Sequence, residues 1–188
     1  MRRIVIALTA LGMVLTILAV FGAAQEKQEK PVVHQYVGAS KCKTCHKIEA
    51  KGDQYTKWAN SKHAKAYESL ASEQSLAIGK EKGIDNPQTS DKCLVCHVTA
   101  FSAPAEQKSE SYDMKEGVSC ETCHGPGSDY KKMNIMKDIE AAKAAGLIIP
   151  TEATCAACHN DKSPTFKSFN FAEASKIIAH PNPAKAAK

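Results

Sequence analysis

The sequence predicts a small, mostly α protein of short helices and loops, and three observations predict it. A five-residue unit, Cys-x-x-Cys-His, occurs four times and consumes all eight cysteines of the 188-residue chain. Between the units, apolar residues recur at helical spacing rather than in alternation. Strand signals are weak throughout, and apart from the unit itself there is no internal repeat.

The unit comes first because it dictates the interior. Its copies are Cys42-Lys-Thr-Cys45-His46, Cys93-Leu-Val-Cys96-His97, Cys120-Glu-Thr-Cys123-His124 and Cys155-Ala-Ala-Cys158-His159. This is the attachment pattern of c-type haem. The two thiols form thioethers to the macrocycle, and the adjacent His becomes an axial ligand of the iron. Paired Cys-x-x-Cys units could instead build two four-thiolate zinc sites, and eight cysteines in an exported chain could form four disulfides. Neither alternative explains a His after the second Cys every time. The expected cofactors are therefore four covalently attached haem c groups. The attachment residues are the eight cysteines, and the proximal ligands are His46, His97, His124 and His159. The expected architecture is a multihaem cytochrome c fold, with helices and loops wrapped around the haems.

The chain begins Met1-Arg2-Arg3, runs apolar from Ile4 to Phe21 and reaches the small residues Gly22-Ala23-Ala24. Residues 1–24 read as an export signal, or as an uncleaved membrane anchor. Both place the rest outside the cytoplasmic membrane, since Arg2 and Arg3 stay inside. The expected location is periplasmic. Removal of 24 from 188 residues leaves 164, or 41 for each of four haems. With five Phe, five Tyr and one Trp, such a chain cannot build much core of its own, so the haems must supply much of the apolar interior. The formal charge of +5 drops to +3 without Arg2 and Arg3, and haem propionates lower it further. No Arg remains after residue 3, which removes the usual bidentate contact to phosphates and bases. Nucleic acid is not an expected partner.

Residues 25–35 read as a flexible linker, 36–180 as the haem domain and 181–188 as a Pro-, Ala- and Lys-rich mobile tail. His34, eight residues before Cys42, is a candidate iron ligand. A helix is expected from about Asp53, as N-cap, to Ala71. It places His63 on one face with Trp58, Ala59, Ala66, Tyr67 and Leu70, and an apolar face here is expected to meet a haem. Residues 72–92 read as a short helix then a loop, and 99–117 as a surface insertion. Gly125-Pro126-Gly127 permits a tight turn beside the third unit. A helix is expected over Ile135–Ala145, ended by Gly146. Ser163–Phe166 is a turn. Asn170 caps a last helix, with Glu173 as its capping-box partner. That helix buries Phe171, Ala174, Ile177 and Ile178 and stops at His180-Pro181.

Four irons need four proximal ligands, and the seven histidines leave only His34, His63 and His180. At least one iron lacks a second imidazole. It can take a thioether, from Met114, Met133 or Met136, or stay open to a small ligand. The first case suits a pure electron carrier and the second a reactive site.

Three stretches resemble the tetrahaem cytochrome c-554 family. They are Tyr36-Val37-Gly38, the run from Ser61 to Leu70 around His63, and Gly117-Val118-Ser119-Cys120-Glu121-Thr122-Cys123-His124-Gly125-Pro126-Gly127. The resemblance spans roughly 36–180. It implies a mostly helical fold with haems in close pairs, and electron transfer between redox proteins, in one member from hydroxylamine oxidoreductase towards the quinone pool. It implies that His63 crosses to the fourth haem and that His180 serves the third. It also implies a five-coordinate second haem able to bind nitric oxide, and a His just after the Gly-Pro-Gly turn for the first haem. Here residues 128–138 contain Met133 and Met136 but no His. The sixth ligand expected at the first iron is therefore Met136 or Met133, ahead of His34.

The leading expectation is a periplasmic tetrahaem carrier passing electrons between a donor and an acceptor protein. One alternative is an enzyme or binder for a small nitrogen oxide at one open haem. Another is a membrane-anchored cytochrome that oxidises quinol.

Overall fold

The computed structural model describes residues 32–180 and residue 183. The chain divides into two units, Met1–Val32 and Val33–Lys188. The export segment and most of the linker expected from the sequence lie outside the described residues, as does nearly all of the tail.

Ten helices are described, none longer than nine residues: α1 Ala39–His46, α2 Gln54–Ala59, α3 Ala66–Ser69, α4 Glu73–Glu81, α5 Asp91–His97, α6 Cys120–His124, α7 Met133–Met136, α8 Ile139–Ala144, α9 Glu152–Ala156 and α10 Phe171–Ile178. Single 3-10 turns occur at Glu49–Lys51, Pro87–Thr89, Ala105–Gln107 and Met114–Glu116. Among the described residues there is no strand, only an isolated parallel bridge between Tyr36 and Lys108. No described helix is long and apolar enough to cross a membrane.

Helices this short do not stand on intrinsic propensity, and the polypeptide interior is correspondingly sparse. Its buried apolar residues are Val37, Ala39, Leu70, Leu94, Val98, Tyr130 and Ala142. Leu70, Leu94 and Val98 form one cluster with Tyr67, Cys93, Phe101 and Met114 around the second Cys-x-x-Cys-His unit. The remaining cohesion comes from side-chain caps and long-range hydrogen bonds.

Two expected helices are broken, each by a polar group that the chain needs elsewhere. The helix expected from Asp53 to Ala71 ends at Ala59 and restarts at Ala66. Asp53 does cap it, accepting from Thr56 N–H at 3.3 Å. The carbonyl of His63, however, accepts from Val118 N–H at 3.0 Å, and Trp58 Nε1 donates to Val118 O at 2.9 Å. Docking on the 117–118 backbone replaces the helical turn. The helix expected over 135–145 is interrupted at Asp138, whose carboxylate caps α8 by accepting from the N–H groups of Glu140 and Ala141.

The last helix starts at Asn170 as expected, with Asn170 Oδ1 accepting from Glu173 N–H at 3.2 Å. Ile177 does not belong to its inner face: it is 76% exposed. The segment 99–117 is no mere surface insertion either. Thr99 is buried, and its hydroxyl donates to Gly117 O and accepts from Ser119 N–H. Tyr112 donates to Thr99 O, and Lys108 donates to Phe101 O. These bonds tie the exit of α5 to the start of α6.

Candidate haem site

Each Cys-x-x-Cys-His unit folds as a helical turn at or near a helix end: in α1, α5 and α6, and from α9 into the turn that follows it. Helical geometry sets residues i, i+3 and i+4 on one side. Both sulfurs and the following imidazole of a unit therefore address the same volume. All eight thiols are free, so no disulfide competes for them. Among the described residues no three Cys, His, Asp or Glu side chains converge as a metal cluster.

Three of the four unit histidines have their Nδ1 proton engaged. His46 is bonded to Gln54 Oε1 at 3.2 Å, His97 donates to Ala66 O at 2.7 Å, and His124 donates to Ile148 O at 3.1 Å. Such bonds orient a metal-binding imidazole and leave Nε2 for the metal. His159 is held differently, stacked on Phe169 with centroids 4.8 Å apart and planes at 16°.

The structure brings two of the three non-unit histidines, His63 and His180, to two of these. His63 faces His159 with ring centroids 6.0 Å apart, and His180 faces His124 at 5.9 Å. A nitrogen ligand sits about 2 Å from its metal, and about 1.1 Å separates that nitrogen from its ring centroid. Two imidazoles on opposite sides of one metal therefore place their centroids about 6 Å apart. Both pairs fit a six-coordinate iron. Burial, with the neighbouring His159 second, lowers the pKa of His63. Burial is also the first cause of the lowered values of His124 and His180. All three are thus neutral near pH 7, the form that binds a metal.

Among the described residues, His46 and His97 make no ring contact with another imidazole. His34 is engaged elsewhere, with Nδ1 donating to Asp129 Oδ2 at 2.8 Å and its ring against Gly146. Met133 is 65% exposed, Met136 is half-buried at the end of α7, and Met114 packs in the apolar cluster beside Cys93.

The thiols also define neighbours among the units. The thiols of Cys42 and Cys120 lie beside each other, and their interaction raises the pKa of the first and lowers that of the second. Burial, followed by the adjacent Cys96, pushes Cys158 up to about 11. Burial, then Cys155 and Cys120, raises Cys123. The units therefore adjoin in the order first, third, fourth, second.

Sequence reasoning missed the group that joins the first unit to the third. Glu121, between the attachment cysteines of α6, is 1% exposed. Its carboxylate accepts from the N–H groups of Val37 (2.9 and 3.0 Å), Gly38 (2.7 Å) and Gly127 (2.7 Å). Burial raises its pKa, against the pull of these N–H groups. Glu116 likewise caps α1 from a distance, accepting from Ala39 N–H at 2.6 Å and Ser40 N–H at 3.2 Å. An acid inside a haem-attachment unit was the only available signal. Tyr130 is buried and donates to Gly125 O at 2.8 Å.

The family described as cytochrome c554 and c-prime matches residues 41–125, covering the first three units. Cytochrome c-554 of Nitrosomonas europaea is 32% identical over 140 residues, 66% of this chain and 57% of that protein, so the aligned segment spans little more than half of that relative's length. The structure is also similar to that of reduced cytochrome c554 from the same organism, with a TM-score of 0.51 and 25% identity over 84% of this chain and 83% of the other.

Proposed function

We propose that the chain, a member of the cytochrome c554 family, works as a tetrahaem c-type electron carrier, and that its own residues hold the four haems and route electrons between redox proteins. The observation that carries the reading is the two pairs of imidazoles, each combining a unit His with a distant one, at 6.0 and 5.9 Å. His63 and His159 would hold the fourth iron, and His180 and His124 the third. His46 and His97 are the proximal ligands of the first and second. The eight cysteines, from Cys42 to Cys158, supply the thioethers. For the first iron Met136, half-buried at the end of α7, is favoured over Met133, which is 65% exposed, and His34, whose Nδ1 bond to Asp129 leaves Nε2 for a metal, is the alternative.

When bound, haem supplies a one-electron ferric/ferrous couple. The residues keep that couple fast by changing little as it turns over. The Nδ1 bonds of His46, His97 and His124 fix ring orientation, and the facing imidazoles saturate two irons. Electrons would pass in the order in which the units adjoin, first to third to fourth to second, or the reverse. The export segment supports a location outside the cytoplasmic membrane.

The test is spectroscopic. Mass spectrometry of the exported protein should show a chain shortened by residues 1–24 and carrying four haems. Retention of that segment in a membrane fraction would favour the anchored, quinol-oxidising alternative. Met136→Ala should abolish a weak near-infrared sulfur-to-iron band, while Met133→Ala and His34→Ala leave it. A second reading, a small-ligand site at the second haem, is favoured by one observation: among the described residues no imidazole faces His97, and apolar Leu70, Leu94 and Val98 surround its unit. Carbon monoxide binding to one ferrous haem of four would support it.

A further inference from the structure

The first unit sits at one end of the chain of neighbouring units, and the chain around it is strongly basic. Between residues 41 and 65 there are seven lysines, Lys41, Lys43, Lys47, Lys51, Lys57, Lys62 and Lys65, against two acids, Glu49 and Asp53. The excess is five positive charges in 25 residues. All seven lysines are exposed. Among the described residues none of them joins an ion pair; the pairs described are His34–Asp129, Lys132–Asp129 and Lys143–Glu140. Asp53 is half-buried and spent on its helix cap. Residues 66–116 carry five lysines against nine acids, so the charge is polarised along the chain rather than spread.

Two further observations set this basic region on an electron port. Cys45 is exposed, whereas the other seven cysteines are partly covered, so an attachment edge of the first haem emerges there. Beside it Ile48 is 41% exposed, an apolar spot within the lysines. Lys43 lies over the Tyr55 ring at 5.6 Å, and Lys57 is close enough to His180 to lower its pKa, after burial and His46. The helices α1 and α2, which carry Lys41, Lys43 and Lys57, with Lys47 capping α1, pack on each other. A small apolar centre at a redox edge within a charged surround is the anatomy of a transient protein interface, and clustered like charge steers an oppositely charged partner to it.

We propose that the lysines of residues 41–65 form a docking surface for an acidic redox protein, which exchanges one electron with the first haem at the Cys45 edge. The proposal rests on the tetrahaem reading above and names the class of partner. In the step one electron leaves the partner's reduced centre and turns ferric iron ferrous, with no bond made or broken and no proton moved. An anionic membrane is the weaker occupant, because among the described residues 41–65 only Ile48 is an exposed large apolar side chain.

The experiment is stopped-flow reduction of the oxidised four-haem protein by a reduced acidic plant-type [2Fe–2S] ferredoxin, as probe, over a range of salt. The second-order rate should fall about tenfold or more from low to high ionic strength. The triple variant Lys43→Glu/Lys47→Glu/Lys57→Glu should lose about tenfold at low salt and converge with the parent at high salt. Lys43→Gln/Lys47→Gln/Lys57→Gln should fall between them. The control Lys131→Glu/Lys137→Glu/Lys162→Glu, on exposed lysines elsewhere, should stay within about twofold of the parent. Equal slowing by both Glu variants, or a rate indifferent to salt, overturns the proposal. So does an unchanged ferredoxin rate in the 43/47/57 variant together with loss of its binding to phosphatidylglycerol vesicles, which assigns the surface to a membrane. Haem stoichiometry, read on each variant first, separates these outcomes from failure of the tetrahaem reading, which would show as fewer than four haems in the parent.

Discussion

The third and fourth units each meet a second imidazole, His180 at His124 and His63 at His159, while among the described residues His46 in the first and His97 in the second meet none. The units that are paired are the inner two in the order of neighbours, and the unpaired ones are the ends. The difference is one of coordination and of surroundings. Inner histidines are backed by tertiary contacts that converge from distant segments: Gly117-Val118 holds the His63 backbone, and Phe169 stacks on His159. The end units have other neighbours, a lysine-rich surface at the first and an apolar cluster with acid-rich flanks at the second. On the proposed ligation, saturated irons in the middle would suit relay, because their ligands need not move, and the irons at the ends would be where the molecule meets partners or small ligands.

The largest expected effect breaks the inner coordination itself. His63→Ala and His180→Ala should each convert one low-spin haem of four to high spin, read by electronic absorption and paramagnetic resonance, with four haems still attached. Low-spin spectra unchanged in both variants would remove the distinction between inner and end irons.

Acid should produce the same change reversibly, and at the same two haems. The pKa values of His63, His124 and His180 are depressed below the ordinary 6.5 by burial first of all. A folded-state pKa below the unfolded one contributes stability that is present above pH 6.5 and is lost as pH falls through the depressed value. Ligation acts in the same direction, because a proton competes with iron for the imidazole. A spectral titration from pH 7 downwards should show high-spin signal growing at the third and fourth haems. Growth confined to the end haems would contradict the pairing.

Next in size is the join between an end unit and an inner one. Glu121→Ala leaves the buried N–H groups of Val37, Gly38 and Gly127 without their acceptor, at a cost of about 3–5 kcal/mol. The guanidinium midpoint of the haem-loaded protein should fall accordingly. Redox titration should show the first and third haems perturbed and the fourth little changed. An equal change at all four would mean that Glu121 supports the whole fold rather than this join.

The smallest effect sharpens the comparison at the fourth haem alone. Gly117 has φ +68, and a Cβ there would lie 2.8 Å from His63 O. Gly117→Ala forces a left-handed alanine and pushes His63 away from His159, costing about 1–3 kcal/mol. A partial high-spin signal from one haem is expected, with the His124–His180 pair unaffected. The fraction of that signal measures how far the Gly117 contact, rather than ligation, positions His63.

The covalent chemistry and the ligand inventory are legible in the amino-acid sequence by itself. Cys-x-x-Cys-His is local chemistry: two thiols and an imidazole one helical turn apart carry their meaning wherever the unit sits. The shortage of imidazoles is legible because counting requires no geometry. Local caps are legible too, as Asp53 and Asn170 act on N–H groups three residues away. The helix breaks at Asn60–Lys65 and at Asp138, and the exposure of Ile177, are not, because periodicity registers spacing and not the competing demand of a distant backbone. The facing of His63 and His159, the order of the four units, and the burial of Glu121 against Val37, Gly38 and Gly127 are decided by tertiary structure. Each depends on a distance between segments far apart in the chain, and such distances come from how short helices pack and cap one another, which no single stretch of the sequence contains.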